Sequence, residues 1–534
     1  MRHLFILILI FQLIAVRAIA ANEPEQPRLV VNIVIDGLQP EHLTTLWNSF
    51  NKGGFRRLYG QGAVCRNAYY PILACGAASD YATIVTGTTP YYHGITGNQY
   101  YDRKTGNLQA CLFDASAGGI GTTETLSAKS LLASTVSDEL KMNSGGKSKV
   151  FAIGINSDEA ILLAGHAADG SVWIDNTSGQ LCTSSFYPLG LPRWADQMNV
   201  EHILNSKMQT DWSPLYSISS YIFPPKRRDA ARGFVYFNTG HSTAEQIAFF
   251  KHTPFVNQLV KEVAEKALDN EKMGMSGNTD YIGIQFTLQL SDDDSFELLS
   301  AEKEDMYLRM DNLLSELIDK IESTVGMSHA LFIVTGSQGE NHSQSTLTNY
   351  RVSGGQFVPK NSMALLNLYL MAIYGQNQWV TGYYNKNIYL DRETVEKKGI
   401  SLAAIQLQCS NFMLELQGVQ TAYPVSEILQ SDAKGSDEQA RMKNSYNKSH
   451  SGDVVFTLMP GWVEADENGK PVATSNRKES YVPLILYGYS IKPQNITSAS
   501  ITDIAPTVSS LLHIANPNAC VGRMLPIVLN EVKH

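Results

Sequence analysis

The sequence predicts an α/β protein: a large, mostly parallel sheet with helices on both faces, plus an inserted smaller α+β subdomain. Three observations predict it. Short β-branched runs alternate with longer stretches of helical period, the pattern of strand–helix–strand units. Those runs are apolar almost throughout rather than alternating, as strands with both faces covered must be. Between about 356 and 450 the rhythm breaks into helix, hairpin, helix.

The strands follow in order as LVVNIVID (29–36), VFAIGIN (150–156), DYIGIQFTLQ (280–289), ALFIVTG (330–336) and VPLILYG (482–488). Residues 302–323 carry Met306, Met310, Leu313, Leu317 and Ile321 at helical spacing, a core stripe. A second helix is expected from Pro254 to Leu268, and a third near Asp503 to Leu512 with Asp503 at the capping position. Residues 431–452, rich in Ser, Asp, Lys and Asn, read as a mobile surface connection. The expected division is a signal peptide at 1–20, a core made of 28–355 and 451–530, and a cap subdomain at 356–450.

The first segment is an address. Arg2 precedes the apolar run LFILILIFQLIAV, and the small residues Ala18 and Ala20 precede a polar ANEPEQ. The run is too short for a membrane span and ends at a cleavage-like site, so it reads as a secretory signal peptide and places the chain in the periplasm or outside the cell. No later segment is long and apolar enough to span a bilayer. A net charge of −9 with no lysine or arginine run argues against a nucleic-acid surface. In an oxidising compartment, Cys65, Cys75, Cys111, Cys182, Cys409 and Cys520 are expected to form one to three disulfides; a reactive thiol at Cys75 is the alternative. Their spacing matches no zinc pattern.

In an open α/β sheet, ligands bind beyond the carboxyl ends of the strands. The first strand ends there in Asp36, within VIDGLQPEHL, and the fourth in Ser337 and Gln338, within ALFIVTGSQGENH. The stretch CGAASDYATIVTGTTPYYHGITGNQYYD (75–102) is dense in small residues, and a glycine-rich bend entering a helix can offer backbone donors to an anion.

TGTTPYYHGITGNQYYDR together with VIDG resembles the alkaline phosphatase superfamily, which includes the type I phosphodiesterase / nucleotide pyrophosphatase group. It is most similar to the secreted monoesterases of Gram-negative envelopes. AILLAGHAADGSVWID, EDMYLRMD, LMAIYGQNQWVTGYYNKNIYLDR and TDIAPTVSSLLHIANPNACVG extend the likeness in order over about 28–525. The resemblance implies an alkaline phosphatase-like fold, two zinc ions held by aspartates and histidines, and a threonine or serine nucleophile.

Carried over position by position, it leaves little of that site. Asp36 matches the first metal-binding aspartate and Asn98 the substrate-contacting asparagine, whereas the nucleophile position falls on Ala77. The next aspartate and histidine fall on Leu290 and Asp294; a tempting alternative register keeps Asp280 but puts Ile284 in place of the histidine. The Asp-His pair of the fourth strand falls on Ser337 and Gln338, and the last histidine on Tyr481. Two basic phosphate contacts fall on Asn156 and Asp158.

Zinc needs three or four deprotonated or imidazole donors per ion, and one carboxylate cannot hold two dications. Without metal, both activation of an attacking hydroxyl and neutralisation of phosphoryl charge are lost. The reading therefore leans against an enzyme and predicts no cofactor: an exported pseudophosphatase that binds an envelope protein or a small polar ligand. The alternative is an active phosphatase or phosphodiesterase with an atypical or single-metal site, in which case zinc is the cofactor. A rebuilt Ser79/Thr83/His342 hydrolase and a calcium site at Asp292, Asp293 and Asp294 are further possibilities, against which stand a helix start and a solvated loop. His93, His166 and His241 read as packing, turn and loop residues.

Overall fold

The computed structural model describes residues 26–529, apart from 74, 226–232, 291–299, 338–353, 433–436, 471 and 473–480. The expected signal peptide lies outside the described residues. The first strand, Leu29–Asp36, is buried along its whole length. Parity explains why it can be apolar throughout: Val31, Ile33 and Ile35 enter one hydrophobic cluster, while Val30 and Val34 enter another on the opposite face. Burying each such side chain contributes roughly 1.5–3 kcal/mol.

This strand sits inside a ten-stranded sheet. From one edge the order is Gln494–Asn495, Ala63–Tyr69, Tyr481–Gly488, Ala330–Gly336, Leu29–Asp36, Asp280–Thr287, Val150–Ile153, Gly170–Ile174, Leu181–Ser184 and Gly119–Ile120. The five from Ala330–Gly336 to Gly170–Ile174 are parallel. Tyr481–Gly488 and Leu181–Ser184 join antiparallel on either side. The register pairs Leu29 with Asp280 and Asp36 with Thr287, so the carboxyl ends of the central strands converge. The α/β fold with a mostly parallel sheet is thus as expected, with the short outer strands not foreseen.

Helices Pro254–Asn270 and Ala301–Thr324 cover one face, and Ala77–Thr86, Ser157–Ala164 and Ile504–Leu511 the other. The stripe Met306, Met310, Leu313, Leu317 and Ile321 is buried, and Ser300 caps that helix by accepting from the Lys303 amide. At the last helix, Ile504–Leu511, Asp503 holds the capping position as expected, but its side chain makes no cap bond to that helix. Ser500 opens a 3-10 turn, Ile501–Asp503, and Asp503 reaches back to the Ser500 amide at 2.9 Å, a reciprocal box rather than a cap of its own.

A second sheet of four strands has the order Val380–Tyr384, Asn387–Leu390, Val454–Leu458, Val419–Pro424 and packs its own cluster with helices Pro359–Tyr374 and Leu402–Leu414. Asp453, fully buried, accepts from Arg103 at 2.9 Å and Arg392 at 2.8 Å, and so ties this unit to the Gln99–Asp102 strand region. The expected mobile connection at 431–452 is corrected in part: Glu438–Ser445 is a helix with Arg441 and Met442 buried. No helix among the described residues is long and apolar enough to cross a membrane.

Candidate active site

Asp36 ends its strand buried, only 4% exposed. Tyr81 donates its hydroxyl to Oδ1 at 3.0 Å, and Gln285 donates Nε2 to Oδ2 at 2.8 Å. Gln285 is itself fixed, because its Oε1 accepts from the amides of Ile155 (2.7 Å) and Asn156 (3.2 Å). Burial pushes the Asp36 carboxyl up, and the hydrogen bonds from Gln285 and Tyr81, together with the nearby Ser337 hydroxyl, hold it down. Ser337, 1% exposed, has no hydrogen-bond partner for its hydroxyl among the described residues, yet lies close enough to favour the charged Asp36.

Ala77 is the first residue of the Ala77–Thr86 helix, reached through Gly76 at φ +129°. A Cβ at Gly76 would stand 2.5 Å from Asn98 Oδ1, so only glycine fits there. Asn98 Oδ1 accepts the Ala78 amide at 3.0 Å, which pins that oxygen to the helix start and turns the amide nitrogen of an exposed side chain away from it. The structure therefore brings Asp36, Ala77 and Asn98 to the same end of the sheet.

Other expectations fare differently. Leu290 is 5% exposed and belongs to the hydrophobic core. Tyr481 begins its strand paired with Tyr69. Asp294, Gln338, His342, Asp292 and Asp293 lie outside the described residues. The tempting register through Asp280 is excluded: its carboxylate accepts the amides of Lys149 (2.7 Å) and Gly274 (2.9 Å) at the strand's start, opposite to Asp36. Ser79 donates to the Gly76 carbonyl at the helix start and Thr83 to the Ser79 carbonyl within the helix, so both hydroxyls serve the helix backbone. His93 is fully buried against Thr83 and pushed down to about 3, so it stays neutral. His166 bridges Asp138 and the Leu131 carbonyl, and His241 donates its amide to Glu245 ahead of a helix.

The disulfide expectation is corrected: all six cysteines are separate thiols. Burial also pushes Cys75 up to about 11, the reverse of what a reactive thiolate needs.

What the sequence reading missed is a buried charge group behind Asp36. Glu159, 4% exposed, is pushed up to about 8 by burial, then by the charges of Asp36 and Asp158; its Oε2 has no hydrogen-bond partner among the described residues. Half-buried Asp158 is raised to about 7 by burial and by Glu124. Lys251 donates to Asn176 Oδ1 (2.6 Å), the Ile174 carbonyl (2.9 Å) and Asn156 Oδ1 (3.2 Å), and burial lowers it to about 8. The SDE triplet was visible in the sequence, but only the helix places its Glu inward.

Two zinc ions do not fit these residues. Among the described residues no group of three or more His, Cys, Asp or Glu side chains is placed to hold a metal ion. Both Asp36 oxygens already accept from neutral donors, and Ala77 and Leu290 offer no lone pair.

The family described as Type I phosphodiesterase / nucleotide pyrophosphatase matches residues 30–481. The chain is similar to alkaline phosphatase PhoV of Synechococcus elongatus, 29% identical over 521 residues, covering 94% of this chain and 93% of that protein. It is similar to alkaline phosphatase PafA of Elizabethkingia meningoseptica, 27% identical over 525 residues and covering 96% of each. The crystal structure of wild-type PafA superposes with a TM-score of 0.85 at 26% identity, over 95% of this chain and all of that one. These relatives correct the expectation against an enzyme: proteins named alkaline phosphatases match this chain almost end to end.

Proposed function

The chain belongs to the Type I phosphodiesterase / nucleotide pyrophosphatase family, and from that premise we propose that it hydrolyses phosphoric esters, outside the cytoplasm, with a centre unlike the two-zinc pattern. The observation that carries the reading is the buried Asp36 carboxylate at the strand end, beside Asn98 and the Ala77 helix start, in a chain matched by alkaline phosphatases over more than nine-tenths of its length.

The roles follow from the chemistry of each group. Asn98, its oxygen pinned by the Ala78 amide, presents its amide nitrogen to a phosphoryl oxygen. Ala77 has no attacking atom, so water supplies the new P–O bond while the ester P–O bond breaks. Asp158 is the proton-handling carboxyl: it is hydrogen-bonded with the Cys111 thiol, whose residue donates its amide to the Asn98 carbonyl at 3.0 Å, and a group titrating near 7 can take the proton of the attacking water while the leaving oxygen, on the opposite side, takes its proton from solvent. Below its pKa the neutral form also removes a negative charge that would repel a phosphate dianion. Asp36, through Tyr81 and Gln285, fixes the helix start and the neighbouring strand relative to each other.

The test is phosphate release from p-nitrophenyl phosphate and its bis ester by purified chain, with and without added zinc. Turnover that Asp36→Ala abolishes supports the reading. No turnover above a vector-only preparation under either condition overturns it and leaves only binding as a function of the cleft. Export is tested by sequencing the mature N-terminus, expected at Ala21.

A further inference from the structure

The second sheet carries a partly open pocket whose empty space is about 900 Å³, including the solvent at its mouth. One wall is aromatic and apolar, with Tyr384, Tyr389, Tyr446, Phe456 and Met442; Lys386 and Arg441 reach it from two different elements. Both cations are buried, 7% and 3% exposed. Glu438 also lines the pocket, but its Oε1 is engaged by the hydroxyls of Thr421 (2.7 Å) and Thr457 (2.9 Å). The buried Glu464 pairs with Lys386 at 3.7 Å and also accepts from the Tyr383 hydroxyl, which leaves the second cation, Arg441, to give the pocket its positive side.

The backbone makes Lys386 an unexpected choice. Asn385 (φ 45°) and Lys386 (φ 61°) form the two-residue turn between strands Val380–Tyr384 and Asn387–Leu390. Both positions are left-handed, and glycine would serve the second at less cost, by roughly 1–2 kcal/mol. A lysine held there against its backbone preference, and buried besides, puts an ammonium where the pocket can use it.

We propose that this pocket binds a small organic anion with a flat apolar body, its charge held by Lys386 and Arg441 together. Pockets of this kind take their affinity from apolar walls and their orientation from a few convergent polar groups. The inference does not rest on the hydrolytic reading, because it concerns binding alone. Burial lowers Lys386 to about 8, and the neighbouring Cys75 would favour its charge only as a thiolate, which burial of that thiol opposes. Tyr384, Tyr389, Tyr446, His450, Glu438 and Arg441 are the other titratable groups that line the pocket, and Glu464 faces Lys386 from outside it. An arriving anion favours the ammonium, so binding near pH 8 takes up protons.

Titration calorimetry of the full chain with benzoate, and with neutral benzamide as control, tests this. Benzoate is expected to bind at least roughly tenfold more tightly than benzamide, with heats that change with the buffer's ionisation enthalpy near pH 8. Lys386→Gly keeps the turn and removes the ammonium but takes a partner from the buried Glu464, so its fold is checked by circular dichroism and Tm; the folded variant should lose that tenfold preference, and Lys386→Arg, which keeps the charge, should retain it. Arg441 is left in place because it donates to the Ile72 carbonyl. Equal binding of the two probes, no benzoate binding, no proton uptake, or an undiminished preference in a folded Lys386→Gly chain overturns the proposal.

Discussion

At Glu159 the fold holds a carboxyl in a place that suits only its neutral form. Its ordinary value is 4.5 and its folded value about 8, while Asp158 moves from 3.8 to about 7. Between those limits the folded chain binds more protons than the unfolded one, so stability is fullest at the acid end and falls as pH rises to about 8. Lys251, lowered from 10.5 to about 8, adds a slope of the opposite sign only above about 8. Glu159→Gln, which copies the protonated form, should flatten the fall of Tm across that window; parallel curves for the two chains would refute this account. For activity, Asp158→Asn should remove a titration near pH 7 from kcat/KM and lower it roughly 10²-fold or more, a loss readable in the pH profile. Asp36 and Asn98 could be proposed as site residues from the sequence because they stand in stretches that resemble the family. Gln285 was not, because nothing in an apolar strand shows that a glutamine's amide will meet a carboxylate from the neighbouring strand.

At the scale of elements, the long apolar strands and the Ala301–Thr324 helix were readable because their burial is periodic. Shorter strands such as Gly170–Ile174 and Leu181–Ser184 were not, since short runs owe their conformation to their neighbours in the sheet rather than to their own pattern. Glu438–Ser445 misled for a related reason: a polar surface composition concealed Arg441 and Met442, which pack inward. The joint at Asp453 is the clearest energetic test. Its buried carboxylate serves two partly exposed arginines and the Leu390 amide, so Asp453→Ala leaves Arg103 and Arg392 without their carboxylate and that amide without its acceptor. The expected loss is about 2–3 kcal/mol in denaturant unfolding, and a change under roughly 1 kcal/mol would show the joint to be dispensable. Gly76→Ala should likewise weaken turnover, since its methyl group must displace Asn98 from the Ala78 amide.

For the whole molecule, the fold and the family agree, and the proposal concerns the centre alone. The parallel strands still bring their carboxyl ends together, and Asp36 still closes the first of them. The proposed centre has its own donor set: an alanine at the helix start, a core leucine past Asp280–Thr287, and an amide hydrogen-bonded to the Asp36 carboxylate. An attacking oxygen from water, rather than from residue 77, follows from that set. The measurement that tests this most directly is the stereochemical course of hydrolysis of a phosphate ester chiral at phosphorus through isotopic oxygen. A single in-line attack by water predicts inversion. Retention, which requires a phosphorylated intermediate, or the absence of any turnover to analyse, would contradict the account.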